Sequence, residues 1–166
     1  IRTNHDVDIT ASAKGYMLTS KEINLVKTKV SYTAEIYLER IQQGQKVNLR
    51  KIQFYGNRSD FLPAARSSLK ARLYFMQQNP KVIIEIEGHV NGPNQRNTNS
   101  YKELSLNRAK AVREYLIENK IDPSRLKFVG YVNSQMLYPQ PKTRIQESAN
   151  RRVEIKIISN GTGTGN

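Results

Sequence analysis

The sequence predicts an α/β (α+β) domain, a two-layer sandwich in which helices cover one face of a mixed β-sheet. From Val47 onward, short runs with the alternation of strands are interleaved with longer runs of helical periodicity. Glycine, proline and asparagine separate these runs, which gives the order strand, helix, strand, helix, strand, short helix, strand. The 166 residues suffice for one such domain with its own core, together with an accessory segment.

Local signals set the expected limits of each element. Asp60 is suited to cap the first helix, and Pro80 ends it. The second helix is amphipathic and stops before Ile121-Asp122-Pro123. The predicted strands are Val47–Tyr55, Val82–Gly88, Leu126–Tyr131 and Arg152–Ile158, and the predicted helices are Phe61–Gln78, Glu103–Asn119 and Thr143–Ala149.

Residues 1–46 form an N-terminal extension that is too short and too polar to build a core of its own. Weak alternation predicts three strands in it, at Val7–Ala11, Met17–Val26 and Tyr32–Leu38. At the other end, residues 159–166 are rich in glycine and threonine, and we expect them to be flexible.

The chain is strongly basic, with 27 Lys and Arg against 14 Asp and Glu and a formal net charge of +13. Such a balance suits polyanionic partners, namely nucleic acid, an anionic membrane surface or an acidic cell-wall polymer. Charge alone favours nucleic acid. The sequence contains no apolar run long enough to span a membrane. With no Cys and two His, a structural zinc site is not expected.

Arg108 lies where an arginine is unexpected. Residues four apart share a helix face, and the row at positions 104, 108, 112 and 116 runs Leu, Arg, Val, Leu. A guanidinium in an apolar stripe is costly to bury unless an anion meets it, and it stays protonated at neutral pH. The anion comes either from an internal acid such as Glu103 or Glu87, or from a ligand.

Glu85 and Glu87 project from one face of the predicted strand Val82–Gly88, about 7 Å apart. This separation is similar to the spacing of the two carboxylates in a glycosidase. Alternating charges on a solvent-exposed strand face are the simpler interpretation, and no Ser-His-Asp set, phosphate-binding loop or metal cluster is evident. We therefore expect no enzymatic activity, no metal and no cofactor.

Several spaced motifs follow one another across the predicted domain. They are Phe54–Pro63, Ile86–Asn91, Leu104–Ala109, Tyr115-Leu116, Ile121–Arg125, Gly130 and Asn150–Ile155. In this order they make residues 47–158 resemble the OmpA C-terminal-like family. Its members are the peptidoglycan-binding domains of outer-membrane porins, peptidoglycan-associated lipoproteins and flagellar stator proteins.

The resemblance implies a ligand for Arg108. The family binds the diaminopimelate residue of the wall stem peptide, and Arg108 matches the arginine of its Leu-Ser-x-x-Arg-Ala motif, which grips a carboxylate. A guanidinium makes two parallel bonds to a carboxylate, which lysine cannot do. Backbone N–H groups near Ser100–Leu104 add donors for the same anion. The implied ligand-binding residues are Gly56, Asn57, Val90, Asn91, Asn99, Leu104, Arg108 and Arg151.

The chain departs from the family where the ligand amine is recognised. Asn91 replaces the aspartate of Gly-His-Thr-Asp, which meets the ammonium of diaminopimelate, and Gly56-Asn57 stands where a second acid often lies. An amide accepts a hydrogen bond without offering charge, which weakens this contact by about 1 kcal/mol. We expect binding to persist through the carboxylate end. The competing hypothesis is a fold that has lost its ligand and serves as a protein-interaction module.

Three further residues have alternative interpretations. The loop before Leu104 is longer than usual, so the loop asparagine of the family is Asn99 unless Tyr101 displaces it, or Asn99 is a solvated turn residue. Arg151 either lies near the ligand or forms an internal ion pair that supports the last strand. His89 is interpreted as a packing and hydrogen-bonding residue at the strand end.

The resemblance also implies a cellular context. It places the chain in the periplasm of a Gram-negative bacterium, bound to peptidoglycan at the outer membrane with other envelope proteins as partners. Ala11–Tyr16 and Ile23-Asn24-Leu25 are similar to the last strands of a carboxypeptidase-regulatory-like β-sandwich. That similarity implies a start inside a preceding domain, in a lipoprotein of a secretion or gliding machine. A basic nucleic-acid-binding module is the alternative, although the predicted sheet lacks the aromatic stacking pattern of a single-strand RNA reader.

Overall fold

The computed structural model describes residues 5–25, 31, 33–48, 52, 54–94 and 98–161. Two separate sheets occur in these residues. The first is a hairpin of β1 (His5–Ala11) and β2 (Thr19–Leu25), paired antiparallel with Ala11 opposite Thr19. None of the helices in the described part of the chain is long and apolar enough to cross a membrane.

The second sheet carries the domain and has four strands. Its order is β3-β6-β4-β5, with β4 and β5 parallel and the other two pairings antiparallel. The mixed sheet and the succession of strands and helices confirm the predicted fold class. The elements are β3 (Lys46–Asn48), α1 (Ala65–Gln78), β4 (Ile83–His89), α2 (Asn99–Glu118), a 3₁₀ turn (Pro123–Arg125), β5 (Leu126–Val132), α3 (Arg144–Asn150) and β6 (Val153–Ser159).

Helix α2 lies directly on the sheet, against β4 and β5, and α1 packs beside it. Two glycines allow this close approach. A Cβ on Gly88 would collide with the backbone carbonyl of Ser105, and a Cβ on Gly130 would meet the Ser105 hydroxyl and the Leu106 backbone nitrogen. The resulting short distance between helix and sheet fixes the position of Arg108, which lies one turn further along α2.

The core lies between this sheet and the helices, as the alternation of apolar residues in the last strand predicts. Val153, Ile155 and Ile157 all point into it. The N-terminal extension adds Met17, Leu18 and Ile41 to the same core, and a hydrogen bond of 2.7 Å from the Gly15 backbone to the Asn79 side chain fastens it. The other core members with no more than 2% exposure are Ile52, Ala65, Met76, Val82, Ile84, Ile86, Ala109, Val112 and Leu116.

Both long helices begin at a different residue from the one predicted. Asp60 is not the N-cap of α1, which starts at Ala65 after Ala64 and has no side-chain cap. An isolated bridge pairs Phe61 with Phe54 and keeps the chain extended there, and Pro63 disfavours a helical residue before it. Helix α2 begins four residues earlier than predicted, at Asn99, because the Thr98 hydroxyl accepts a hydrogen bond from the Tyr101 backbone and caps it.

Two predicted strands are wrong in whole or in part. Residues 33–38 alternate between exposed and half-buried side chains but form no strand, and the pairing nearest to them is the isolated bridge between Tyr16 and Arg40. Of the strand predicted at Val47–Tyr55, Val47 and Asn48 lie in β3, whereas the described residues 52, 54 and 55 lie outside any strand. Parts of the predictions lie outside the described residues, namely positions 26, 32, 49–51, 53 and 95–97, and residues 162–166 of the tail for which we expect flexibility.

Candidate functional site

Arg108 is the largest fully buried side chain among the described residues, with 1% of its surface exposed. Its Nε donates a hydrogen bond of 3.2 Å to the Arg58 carbonyl, and the guanidinium carbon lies 5.2 Å from the centre of the Phe54 ring. Its Nη1 is buried and has no hydrogen-bond partner in the described part of the chain. The side chain is therefore packed and partly bonded, yet its charge meets no anion.

The two internal acids considered for Arg108 are both engaged elsewhere or exposed. Glu103 lies on the solvent side of α2, and Glu87 pairs with Lys46 at 2.7 Å. None of the ion pairs found among the described side chains includes Arg108. The hypothesis of an internal salt bridge to Glu103 or Glu87 is therefore wrong, because Glu103 is exposed and Glu87 is paired with Lys46.

A cavity of about 160 Å³ opens beside this guanidinium. The residues that line this cavity come from the start of the domain, from α2 and from the end of α3. They are Phe54, Leu62, Arg108, Ser148 and Arg151. Burial lowers the pKa of Arg108 to about 10, with the positive charge of Arg151 as a second cause. The side chain is still protonated at pH 7, so the cavity presents a desolvated positive charge to any small anion that enters.

Arg151 is both an ion-pair residue and a cavity residue. Its Nη1 lies 3.7 Å from the Oε2 of Glu147, one turn earlier, and both side chains are about two-fifths exposed. Arg151 can therefore form an ion pair and also lie near a ligand, because its pairing with Glu147 leaves the guanidinium at the cavity wall. A pair this exposed contributes less than about 1 kcal/mol to stability.

Asn91 is bonded to Asn150, the residue that precedes Arg151. The Asn150 Nδ2 donates to the Asn91 side-chain oxygen at 2.8 Å and to the Tyr138 carbonyl at 2.8 Å. The Asn150 side-chain oxygen accepts from the Tyr138 backbone at 2.9 Å. Because Asn150 is completely buried, these bonds fix the end of α3, and with it Arg151, relative to the loop after β4.

The structure gathers only two of the eight predicted ligand residues around the cavity, Arg108 and Arg151. Gly56 and Asn57 lie in an exposed turn, where Asn57 has a φ of 52°. The other four residues do not line the cavity. Val90 is buried and bonds the Val132 carbonyl through its backbone, Asn91 is held by Asn150, Asn99 is exposed at the start of α2, and Leu104 is half-buried.

The sequence did not predict three of the cavity residues, Phe54, Leu62 and Ser148, or the buried side chain of Asn150. Phe54 and Leu62 stand in the motif Phe54–Pro63, and Asn150 directly precedes Arg151, so the motifs contained a signal for these three. Ser148 had none. Its place at the cavity follows only from the course of α3.

Charged residues also cluster on the sheet face away from the helices. Glu87 of β4 stands directly opposite Glu154 of β6, and both are buried. The prediction that Glu87 lies on an exposed strand face is wrong, because Lys46 and the residues around Glu154 cover it. The Glu87 hydrogen bond and charge raise the pKa of Lys46 although burial opposes this.

His89 joins this cluster. Its ring is 1% exposed, stacks on Tyr131 with 5.7 Å between ring centres, and has its Nε2 3.4 Å from the Glu154 Oε2. Burial alone would raise the pKa of Glu154, but interactions with His89 and Arg152 outweigh it and lower that pKa to about 2. The position of His89 is that of a packing residue at the end of β4.

The ligand atoms of Glu87, His89 and Glu154 lie within 4.8 Å of one another, a spacing that could surround a metal ion. Each carboxylate, however, already has its own cation. Lys46 bonds Glu87, and Arg152 bonds Glu154 at 2.9 Å. A divalent ion would therefore add uncompensated positive charge to a buried, already neutral group, and the cluster is best described as an ion-pair network.

A larger cavity of about 620 Å³ lies between the N-terminal extension, the end of α1 and the end of β6. Three of its lining side chains are basic, Lys14, Arg40 and Lys81. None of the described residues that line it has a buried polar atom lacking a partner. It therefore shows no converging unsatisfied groups of the kind found at Arg108.

In comparisons with known proteins, residues 53–151 match the sequence model of the OmpA family. The outer membrane porin F of Pseudomonas fluorescens is 31% identical over 108 residues, which cover 64% of this chain and 32% of that protein. The chain therefore spans about a third of the length of this relative. The matched segment contains every residue that lines the smaller cavity.

Solved structures with the same fold come from several bacteria. The periplasmic domain of Helicobacter pylori MotB is similar with a TM-score of 0.59 and 24% identity, covering 72% of this chain and 78% of that one. The cell wall anchor of the type VI secretion system of Pseudomonas aeruginosa has a TM-score of 0.55 and 19% identity, over 68% and 78%. The OmpA-like domain of Francisella tularensis FopA1 has a TM-score of 0.55 and 14% identity, over 93% and 84%. At these identities the likeness concerns the fold alone.

Proposed function

Because this chain belongs to the OmpA family, we propose that residues 47–158 bind peptidoglycan without enzymatic activity and anchor a larger envelope assembly to the cell wall. One observation carries the proposal. The buried guanidinium of Arg108 has no acidic partner in the described residues and stands at a cavity beside a second guanidinium, that of Arg151. Burying a cation without an anion is costly, and an anion from outside the chain would offset that cost.

The anion we propose is the side-chain carboxylate of diaminopimelate in the stem peptide. A cavity of about 160 Å³ holds the end of a side chain but not a whole stem peptide. The Arg108 Nε is bonded to a backbone carbonyl, which orients the guanidinium and leaves its remaining N–H groups for the carboxylate. Phe54 and Leu62 supply apolar walls for the methylene groups of the ligand.

The residues expected near the amine of the ligand offer it only weak interactions. Asn91, which the resemblance places there, offers a neutral oxygen that already accepts the bond from Asn150. Gly56 and Asn57, where a second acid is common, are exposed and bring no charge. We therefore propose that the carboxylate end carries the binding, with Gly56, Asn57, Val90, Asn91, Asn99 and Leu104 as the surrounding contacts.

The net charge of +13 supports a second, less specific contribution. Peptidoglycan carries many carboxylates, and exposed Lys and Arg attract them over distances limited by salt screening. Binding to whole wall material should therefore weaken as salt rises. The contribution of Arg108 should weaken less, because this residue is buried.

The cellular location we propose is the periplasm, next to the outer membrane. MotB was solved as a periplasmic domain, the Pseudomonas aeruginosa protein is a cell wall anchor, and porin F is an outer membrane protein. These descriptions concern those proteins. They support, for this chain, a place between the outer membrane and the wall, with other envelope proteins as partners.

Co-sedimentation with purified sacculi tests the proposal. The unmodified domain should pellet with sacculi, and Arg108→Met should reduce its retention by about tenfold or more. Lys110→Met is the matched control, since it removes the same charge from an exposed position of the same helix and should retain nearly full binding. Failure of the unmodified domain to pellet, or tighter binding to an oligonucleotide than to sacculi, would contradict the proposal.

A further inference from the structure

Among the described residues that line the cavity beside Arg108 there are two guanidinium groups and no carboxylate. The acids nearest in sequence to the lining residues each pair with an arginine. Glu147 pairs with Arg151 at 3.7 Å, and Asp60 pairs with Arg58 at 2.7 Å.

On the basis of the proposed function, we infer that this site selects diaminopimelate whose side-chain amine is acylated over diaminopimelate whose amine is free. In the wall, the acylated form is the cross-linked one, because cross-linking converts this amine into an amide with the neighbouring stem. The site would therefore hold mature, cross-linked peptidoglycan in preference to uncross-linked stems.

Charge balance at the cavity supports this selectivity. Glu147 offsets Arg151, so the lining residues and their partner leave one net positive charge, that of Arg108. A single ligand carboxylate neutralises it. The side-chain amine of diaminopimelate sits on the same carbon as that carboxylate, so a free ammonium is held within a few ångströms of both guanidiniums. Like charges at that distance repel appreciably even in a wet site.

Three oxygens of residues linked to the two arginines by the chain or by hydrogen bonds offer the ammonium little compensation. The Asn150 side-chain oxygen accepts from the Tyr138 backbone, and the Asn91 side-chain oxygen accepts from Asn150. The Arg58 carbonyl accepts from Arg108 itself. These oxygens are neutral and already accept hydrogen bonds, so they offer the ammonium no opposite charge. An amide nitrogen, in contrast, carries no charge that needs a partner.

Isothermal titration with three synthetic stem tripeptides tests the inference. The tripeptides carry diaminopimelate with a free side-chain amine, the same residue acetylated on that amine, or a residue with hydrogen in place of the amine. The acetylated and the amine-free ligands should both bind about fivefold or more tighter than the free-amine ligand. The amine-free ligand separates the effect of charge from the bulk of the acetyl group.

The outcomes separate this inference from the function on which it rests. If the free-amine ligand binds as tightly as either of the others, the selectivity is overturned while peptidoglycan binding stands. If none of the three binds, the proposed function fails as well. A wall experiment completes the test. Sacculi cut at their cross-links by an endopeptidase, which frees the amines, should retain several times less of the domain than intact sacculi, and equal or greater retention would overturn the inference.

Discussion

The buried Asn150 side chain donates a hydrogen bond of 2.8 Å to the side-chain oxygen of Asn91. This bond joins the end of α3 to the loop that follows β4, two parts of the chain 59 residues apart. It matters for the site because Arg151 follows Asn150 directly, so the position of one guanidinium at the cavity depends on an amide pair that does not line it.

Two substitutions at Asn91 should distinguish the hydrogen bond with Asn150 from an effect of charge at this position. Asn91→Asp keeps an oxygen that accepts from Asn150, so its free energy of unfolding should stay within about 0.5 kcal/mol of the unmodified domain. Asn91→Ala leaves a buried N–H of Asn150 without its acceptor and should lower stability by about 1–2 kcal/mol. Urea denaturation measures both. Equal stability of Asn91→Ala and the unmodified domain would show that the bond is unimportant.

Arg108→Met should make the empty domain more stable while it removes ligand binding. The guanidinium is buried without an anion, and this burial lowers its pKa to about 10, so a flexible apolar side chain of similar length should raise the free energy of unfolding by about 1 kcal/mol. Thermal and urea denaturation without ligand provide the measurement. Destabilisation by more than about 1 kcal/mol would instead indicate that Arg108 serves the fold.

Gly88→Ala should be among the most damaging small substitutions in the domain. The added Cβ would overlap the Ser105 carbonyl, which belongs to the backbone of α2 and cannot rotate away. We expect a loss of about 3 kcal/mol or more and a displaced α2. Gly56→Ala is the matched control, because a Cβ there meets nothing within 4 Å, and its stability should change by less than about 1 kcal/mol. Similar effects of the two substitutions would refute the close approach of helix and sheet.

The stability of the domain should depend on pH through Glu154. Its pKa is about 2 in the folded domain against 4.5 ordinarily, so its contribution is fully present above pH 4.5 and is lost as the pH falls towards 2. The difference in unfolding free energy between the unmodified domain and Glu154→Gln should therefore shrink across this window. Glu103→Gln, at an exposed position, should show no such trend. A difference that stays constant between pH 5 and pH 2.5 would contradict the assignment.

Much of the fold could be predicted because strands and helices differ in the period of their apolar residues. The alternation of β6 and the helical spacing of α2 identified both elements, and the structure confirms them. The same reasoning failed for residues 33–38, where alternation is present but no strand of the described residues pairs with them. It also failed at Asp60, where a good capping residue is kept extended by the Phe54–Phe61 bridge. Both errors arise from contacts that a local pattern does not contain.

By itself the sequence determined the order and type of the main elements, the family, and the presence of an arginine in an apolar stripe. Only the tertiary structure decided what surrounds that arginine. It placed Arg151 beside Arg108, paired Glu87 with Lys46 on the opposite face of the sheet, and left no carboxylate among the described residues that line the cavity. The physical reason is that periodicity reports which face a side chain occupies, whereas the charge balance of a buried site depends on segments that meet only after the sheet and its helices have packed.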